Sequence, residues 1–270
     1  MSPETPPTPR TTTPMTTPIT TPTVRFVGAG PGAADLLTLR AARMLAEADV
    51  VLYPGTYLDA EVLGHCRPQA RLVDTQGLDL DAMVEVMRAA HEAGEQVVRL
   101  TSGDPSLYSA LAEQTRRLDA AGVTWDVTPG VPSYAAAAAL VGRELTVPLV
   151  AQSVVLTRVQ ARSTAMPEGE SLAAYAATGA TLALHLAVTR TRETMAELAG
   201  HYGADCPVAV VFRASQPGEL VLRGTVADIA EQVEAAGLRQ AAVILVGRAL
   251  ARDTDASGES WLYSATRPRS

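Results

Sequence analysis

Short apolar runs alternate along this chain with longer segments whose apolar residues recur every three or four positions. Residues 24–27 (VRFV), 50–53 (VVLY) and 97–100 (VVRL) have the length and β-branched content of buried strands. Between the first two runs, residues 34–46 place leucine and alanine at helical spacing. Strands that alternate with helices predict an α/β fold whose first sheet is mostly parallel.

The same alternation continues to about residue 250. A helix is predicted over residues 80–93. It should end at residue 93 because the next residue is Gly94, and glycine is the residue type expected just after a helix. Residues 216–219 separate two apolar runs and predict a hairpin, so we expect the second sheet to be mixed. The other predicted helices are 106–121, 134–141, 192–201 and 226–236, and the other predicted strands are 72–74, 124–128, 153–157, 181–186, 208–212, 220–224 and 242–246.

Proline and glycine at Pro129, Gly130 and Pro132 indicate a link between two halves of the chain. We therefore expect one α/β domain over residues 24–130 and a second α/β domain over residues 131–250. Residues 1–23 are rich in proline and threonine, a composition typical of a disordered tail. Residues 251–270 are predicted to form a second tail.

Composition narrows the functions open to the chain. Its 270 residues are 47% hydrophobic, and a net charge of −7 argues against nucleic acid as a partner. No apolar run approaches the roughly 20 residues needed to span a bilayer, and the N-terminus lacks the apolar core of a signal peptide. Cys66 and Cys206 do not have the spacing of a metal site, and so few cysteines suit a reducing compartment. We expect a cytoplasmic protein without a metal, nucleic-acid or membrane partner.

Two glycine-containing turns carry the candidate chemistry: GAGPG at 28–32 follows the first strand, and GDP at 103–105 follows the strand at 97–100. In an open parallel sheet such turns lie at the carboxyl ends of the strands, where α/β proteins bind ligands. A dinucleotide is disfavoured because Pro31 lacks an N–H and Gly32 comes one position early for the usual fingerprint. Asp104 and Pro105 are typical of a helix start, and Gly103 permits a ligand to approach the backbone. A tight turn without a ligand is the alternative.

These motifs resemble those of the tetrapyrrole (corrin and porphyrin) methyltransferases. The resemblance extends over about residues 24–250. It is strongest around GRELT at 142–146, QSVVLTR at 152–158 and PEGESL at 167–172. This stretch is most similar to the branch of the family whose members methylate C-11 of precorrin-4 in cobalamin synthesis.

The resemblance implies two α/β domains with the active-site cleft between them, S-adenosylmethionine as methyl donor, an anionic tetrapyrrole as substrate and a homodimer. Ser102 and Pro132 depart from residues common in some branches of the family, but a pocket built mainly from backbone tolerates such changes. The implied cofactor-binding residues are Pro31, Ser102, Gly103, Asp104, Pro132, Ser133, Leu186, Ala214 and Ala242.

Methyl transfer from a sulfonium to an electron-rich carbon needs alignment rather than a nucleophile or a metal. Asp104 and Tyr108 are the candidate catalytic residues. His185 either touches the ligand or is an ordinary buried histidine, and Arg143 could equally pair with Glu144. The candidate arginines for the substrate carboxylates are Arg143, Arg158, Arg162 and Arg213.

Several alternatives remain at the level of the sequence. The chain could methylate a neighbouring ring carbon, or a protein, as the diphthamide-forming members of the superfamily do. It could be a nucleotide-dependent oxidoreductase, which Pro31 disfavours, or a tetrapyrrole-binding protein without catalysis. The sequence does not indicate whether the substrate already holds cobalt.

Overall fold

A computed structural model of the chain describes residues 22–55, 58–159, 164–251, 260–261, 264 and 266–268. The described strands form two five-stranded sheets. Each sheet has an apolar cluster of buried side chains on both of its faces, so both sheets are covered by helices and loops on either side. None of the helices in this described part is long and apolar enough to cross a membrane.

The first sheet is parallel throughout, with strand order β3-β2-β4-β1-β5. Because β1 and β4 are neighbours, the two glycine turns that follow them lie side by side, as the sequence predicted. The elements are β1 (Val24–Gly28), α1 (Leu39–Glu47), β2 (Val50–Tyr53), α2 (Ala60–Leu63), β3 (Arg71–Asp74), α3 (Leu80–Glu92), β4 (Val97–Thr101), α4 (Leu111–Ala120) and β5 (Trp125–Thr128).

The second sheet is mixed, with strand order β6-β7-β10-β8-β9. Only β6 and β7 run parallel, while β7, β10, β8 and β9 pair antiparallel in that order. The predicted hairpin is confirmed as the β8–β9 connection. The elements are α5 (Ser133–Val141), β6 (Val154–Arg158), α6 (Leu172–Ala176), β7 (Thr181–His185), α7 (Thr191–Tyr202), β8 (Pro207–Phe212), β9 (Leu220–Thr225), α8 (Ile229–Ala235) and β10 (Ala242–Val246).

Three predicted helices begin later in the structure, and the one predicted from residue 226 begins at Ile229. Residues 34–36 form a separate 3-10 turn, and α1 begins only after Thr38, whose side chain accepts a hydrogen bond from the Ala41 amide. The helix predicted from residue 106 begins at Leu111, so Asp104 and Pro105 do not start it. Tyr108 and Ala110 adopt left-handed backbone angles (φ 52° and 55°), which a right-handed helix cannot include.

The predicted domain limits stay a prediction, although all five strands of the first sheet precede Gly130 and all five of the second follow it. Residues 1–21 of the predicted N-terminal tail, and residues 252–259, 262–263, 265 and 269–270 of the predicted C-terminal tail, lie outside the described residues.

Candidate active site

A cavity of about 370 Å³ lies between the carboxyl ends of the strands in the first sheet and one set of strand ends in the second sheet, at the ends of β7 and β8 and the beginning of β10. This volume is within the usual range for small-molecule sites. Tyr108 and Arg213 line it, together with His185, Gln216 and Arg239. All nine residues predicted to bind the cofactor also line it: Pro31, Ser102, Gly103, Asp104, Pro132, Ser133, Leu186, Ala214 and Ala242.

The wall contributed by the first sheet is made of closely approaching backbone. The Gly103 amide donates to the Gly30 carbonyl at 2.7 Å, and the Gly30 amide donates to the Gly103 carbonyl at 3.2 Å. A Cβ on Gly28 would stand 2.5 Å from the Cα of Gly130, so this crossing of the β1 and β5 ends requires glycine. The glycines of the two motifs therefore bring three strand ends together and present their backbone to a ligand.

Asp104 links two of these strand ends through its carboxylate. One oxygen accepts a hydrogen bond from the Ser106 amide at 2.8 Å, and the other accepts one from the Gly130 amide at 2.9 Å. Partial burial disfavours the charged carboxylate, but the hydrogen bonds from Ser106 and Gly130 prevail and hold the pKa of Asp104 below its ordinary value. Asp104 therefore presents a fixed negative charge at the cavity wall.

The wall contributed by the second sheet contains unusual backbone. Leu186, Arg213 and Ala241 have φ angles of 53°, 49° and 51°, and each lines the cavity beside Tyr108, whose φ is 52°. Left-handed backbone at a residue other than glycine costs on the order of 1 kcal/mol, and such residues concentrate at functional sites. Because these left-handed residues are grouped around the cavity, we infer that the backbone conformation there serves ligand binding rather than packing of the core.

Strand direction explains why these distant residues meet. Because β10 is antiparallel to both β7 and β8, its beginning lies beside their ends. The Arg213 amide donates to the Ala241 carbonyl at 2.8 Å across this edge. Leu186, the residue just after β7, is 62% exposed and gives the cavity an apolar surface.

A loop of the second sheet is hydrogen-bonded to the first glycine turn. Gln216 Nε2 donates to the Pro31 carbonyl at 2.6 Å, and Ser215 Oγ accepts from the Ala33 amide at 3.1 Å. A Cβ on Gly32 would overlap the Gln216 side chain. Sequence reasoning interpreted Gln216 only as part of a turn, and nothing local to it indicated this long-range contact.

His185, Tyr108 and Arg158 lie together at the ends of β6 and β7. The imidazole of His185 and the ring of Tyr108 have centroids 5.3 Å apart, and the sheet register pairs Arg158 with His185. His185 is 9% exposed, and its Nε2 has no hydrogen-bond partner among the described residues. Burial lowers the pKa of His185 and raises the pKa of the Tyr108 phenol. At neutral pH, therefore, the imidazole is uncharged and the phenol keeps its proton.

The three predicted substrate arginines that the structure describes, Arg143, Arg158 and Arg213, are not brought together. Arg213 lines the cavity, whereas Arg158 lines an adjacent hollow and donates to the Thr164 carbonyl at 2.7 Å. Arg143 follows α5 and donates to the Leu250 carbonyl at 3.3 Å. It lies about 15 Å along the helix from the cavity end at Ser133. Arg162 lies outside the described residues, and the role of all four in binding substrate stays a prediction.

Arg239 is a cavity residue that sequence reasoning missed. It lies in the loop before β10, and its position could have been inferred once β10 was placed antiparallel to β7 and β8. The Arg143–Glu144 pairing considered from the sequence is replaced by other contacts, since Glu144 accepts from the Thr146 hydroxyl at 3.2 Å. Within the described segments, no three His, Cys, Asp or Glu side chains form a group that could hold a metal ion.

A parallel sheet and a mixed sheet with a cavity between their strand ends define a class of two-sheet α/β proteins that bind a small ligand between the sheets. Comparison with known proteins narrows this class. Residues 23–230 match the model of the Tetrapyrrole (Corrin/Porphyrin) Methylases, and the chain belongs to this family.

Individual relatives agree with this membership. The precorrin-4 C(11)-methyltransferase of Rhodococcus erythropolis is 55% identical over 247 residues, which cover 92% of this chain and 98% of that protein. The X-ray structure of a cobalt precorrin-4 methyltransferase, a cobalamin biosynthetic enzyme, is 39% identical with a TM-score of 0.82 and covers 85% of this chain and 96% of that one. A uroporphyrin-III C-methyl transferase from Thermus thermophilus complexed with S-adenosylhomocysteine is 29% identical with a TM-score of 0.70, covering 84% and 93%.

Proposed function

We propose that this methyltransferase transfers a methyl group from S-adenosylmethionine to C-11 of precorrin-4, or of its cobalt complex, in cobalamin biosynthesis. The observation that carries the proposal is the 55% identity to a precorrin-4 C(11)-methyltransferase over nearly the whole of both chains. A homodimer and a cytoplasmic location are further predictions of the sequence.

We place the methyl donor in the cavity between the two sheets. Support comes from the nine residues implied by the family motifs, which come from six separate parts of the sequence and all line this cavity. The related structure with S-adenosylhomocysteine supports a donor of this type. The Asp104 carboxylate, ionised because of its two backbone hydrogen bonds, suits a ligand that carries a positive charge and hydroxyl groups.

When bound, S-adenosylmethionine supplies an electrophilic methyl group on a sulfonium. The protein's task is then to hold an electron-rich ring carbon in line with that methyl. Alignment of this kind can lower a barrier by about 7–11 kcal/mol. The cavity is suited to it because its wall is rigid: paired glycine backbone on one side, and left-handed residues fixed by strand pairing on the other.

The substrate carboxylates require cations, although the chain as a whole is negative. Arg213 and Arg239 line the cavity, and Arg158 is adjacent to it beside His185. Arginine can bind a carboxylate through two parallel hydrogen bonds. We propose Arg213 and Arg158 as substrate residues, with Arg239 as an addition from the structure.

The proposal is tested by incubating the purified protein with S-adenosylmethionine carrying a labelled methyl group and either precorrin-4 or its cobalt complex. Uroporphyrinogen III and a translation elongation factor serve as controls for the other tetrapyrrole and protein substrates of the family. Mass spectrometry should find one labelled methyl on the precorrin. Label on the elongation factor alone, or on uroporphyrinogen III alone, would contradict the proposed substrate.

The donor is tested separately by calorimetry. S-adenosylhomocysteine should bind, whereas NAD and FAD should not, because Pro31 interrupts the amides that a pyrophosphate would need. NAD binding without binding of S-adenosylhomocysteine would contradict the assignment of the donor.

A further inference from the structure

The imidazole of His185 has a buried nitrogen, Nε2, that takes part in none of the hydrogen bonds of the described fold. His185 Nε2 is buried and has no hydrogen-bond partner among the described residues, although the side chain lines the cavity. A buried polar atom without a partner is unfavourable, so such an atom at a ligand site is expected to bind the ligand or a water molecule.

The imidazole is held in place on several sides. Its backbone belongs to β7, which pairs with β6 on one side and β10 on the other, and the Tyr108 ring packs against it. The ring therefore has little freedom to turn Nε2 toward another partner.

The other titratable groups around His185 cannot take up a proton near neutral pH. The Asp104 carboxylate is engaged with two backbone amides, and the Tyr108 phenol stays protonated because burial raises its pKa. Arginines are permanently charged donors. Among the described residues, the charged and titratable groups that lie beside His185 or share its cavity are Tyr108, Asp104, Arg158, Arg213 and Arg239.

Methylation of the substrate creates a proton that must leave. The attacking carbon belongs to an enamine-like N–C=C unit, whose π pair forms the new C–C bond while the C–S bond breaks and its electron pair stays on sulfur. The ring nitrogen becomes an iminium, and loss of its N–H proton gives a neutral imine. A neutral acceptor beside that nitrogen would take this proton.

We propose that His185 Nε2 accepts a hydrogen bond from a ring N–H of the bound tetrapyrrole and takes that proton as the ring carbon is methylated. The imidazolium then passes the proton to water and returns to the neutral form, so no further reactant is consumed. The proposal rests on the proposed function, and it assigns a catalytic role to a residue that the sequence left open.

Burial supports the return step, since it lowers the pKa of His185 and makes the imidazolium a better acid. It also fixes the expected pH dependence. The base must be neutral to act, so kcat should fall on the acid side, with a midpoint below the ordinary histidine value of about 6.5.

The test compares His185→Gln with the wild type and with His201→Gln, a matched control at the exposed end of α7. Glutamine can accept the hydrogen bond but cannot take the proton. We expect kcat to fall by about 10²-fold or more in His185→Gln and its acid limb to disappear, while KM for the tetrapyrrole and affinity for S-adenosylhomocysteine stay near those of the wild type. His201→Gln should match the wild type in every parameter.

A second readout does not depend on turnover. In protein with isotope-labelled histidine and bound S-adenosylhomocysteine, the NMR signal of His185 Nε2 should move on addition of precorrin-4, as expected for a nitrogen that accepts a hydrogen bond. The His185→Gln spectrum identifies that signal among the four histidines.

Two outcomes would overturn the proposal: wild-type kcat and pH profile in His185→Gln, or a Nε2 signal that does not respond to the tetrapyrrole. A loss of S-adenosylhomocysteine affinity in His185→Gln would instead assign the histidine to the donor. Failure of the wild type to methylate precorrin-4 would count against the proposed function, and the same comparison would then be made with the tetrapyrrole that it does methylate.

Discussion

At the scale of single residues, the cavity wall contributed by the first sheet is built from closely paired backbone, and the Asp104 side chain helps to hold that backbone. Gly30 and Gly103 exchange amide hydrogen bonds, and Asp104 links Ser106 to Gly130. A ligand in this cavity meets peptide groups whose positions are fixed by pairing.

The first prediction concerns Gly103, whose φ of 69° is left-handed. A Cβ there would stand 3.6 Å from the Ser133 amide nitrogen and 3.7 Å from the Pro132 Cα, so the γ-carbons of valine would collide with the cavity wall. Gly103→Val should lose most of its affinity for S-adenosylhomocysteine in calorimetry.

Gly94→Val provides the matched control. Gly94 is also left-handed (φ 79°), but a Cβ there would meet nothing within 4 Å, and the residue follows α3 away from the cavity. Both variants should lose about 1–2 kcal/mol of unfolding free energy from backbone strain. Equal affinity for S-adenosylhomocysteine in the two variants would show that Gly103 matters only to the fold.

The site residues that were predictable from the sequence are those that belong to recognisable local motifs. Gly103, Asp104 and Pro31 belong to short motifs after strands, so both their proximity and their place in the cavity were predictable. Gln216 and Arg239 belong to no such motif, and they reach the cavity only through strand pairing in the second sheet. Asp104 was expected to cap a helix; it does accept backbone hydrogen bonds, but one of them comes from Gly130, a residue distant in sequence.

At the scale of elements, the loop of residues 213–219 between β8 and β9 connects the two sheets. Three hydrogen bonds join this loop to its surroundings. Gln216 Nε2 donates to the Pro31 carbonyl, the Ala33 amide donates to Ser215 Oγ, and the Arg213 amide donates to the Ala241 carbonyl. The hairpin itself was predictable from the apolar runs on either side. Its contact with the first glycine turn was not, because that contact depends on how the two sheets pack.

The second prediction removes the contact between this loop and the glycine turn. Gln216→Ala deletes the hydrogen bond to the Pro31 carbonyl, which is worth about 0.5–1.5 kcal/mol. Because both residues line the cavity, affinity for S-adenosylhomocysteine should fall by up to about tenfold, as measured by calorimetry.

Gln152→Ala is the control for this loss. Gln152 Nε2 likewise donates to a backbone carbonyl, that of Thr146 at 3.0 Å, but it does not line the cavity. Its affinity should equal that of the wild type. Parallel losses in both variants would mean that the loop contact has no specific effect on the site.

The helix predicted from residue 106 illustrates the opposite outcome, in which a local signal misleads. Asp104 followed by Pro105 favours a helix start, and nothing in the sequence marks Tyr108 or Ala110 as left-handed. In the structure the Tyr108 ring lies in the cavity wall and packs on His185. The helix starts at Leu111, and the preceding turn is left free to line the site.

At the scale of the whole molecule, charge is distributed in an uneven way. The net charge is −7, and all 22 basic residues are arginines. Arg213 and Arg239 line the cavity, with Arg158 adjacent to it. A substrate with many carboxylates is therefore repelled by the molecule at long range and attracted by the site at short range.

The third prediction decides which of these two effects controls binding. The Debye length falls from about 30 Å at 0.01 M salt to about 3 Å at 1 M. Added salt therefore screens both the long-range repulsion by the net charge and the short-range attraction by the cavity arginines. If the cavity arginines dominate, as we expect, precorrin-4 affinity should fall with salt while that of S-adenosylhomocysteine changes little. An affinity for precorrin-4 that rises with salt would mean that overall repulsion controls binding and that the arginines contribute little.

The most direct test of the account is the position of the methyl group that the protein adds. Precorrin-4 incubated with the protein and S-adenosylmethionine labelled in its methyl group would be analysed by NMR. We predict one label, attached to C-11. A label on any other ring carbon, or an unlabelled tetrapyrrole recovered from protein that binds S-adenosylhomocysteine, would contradict the account.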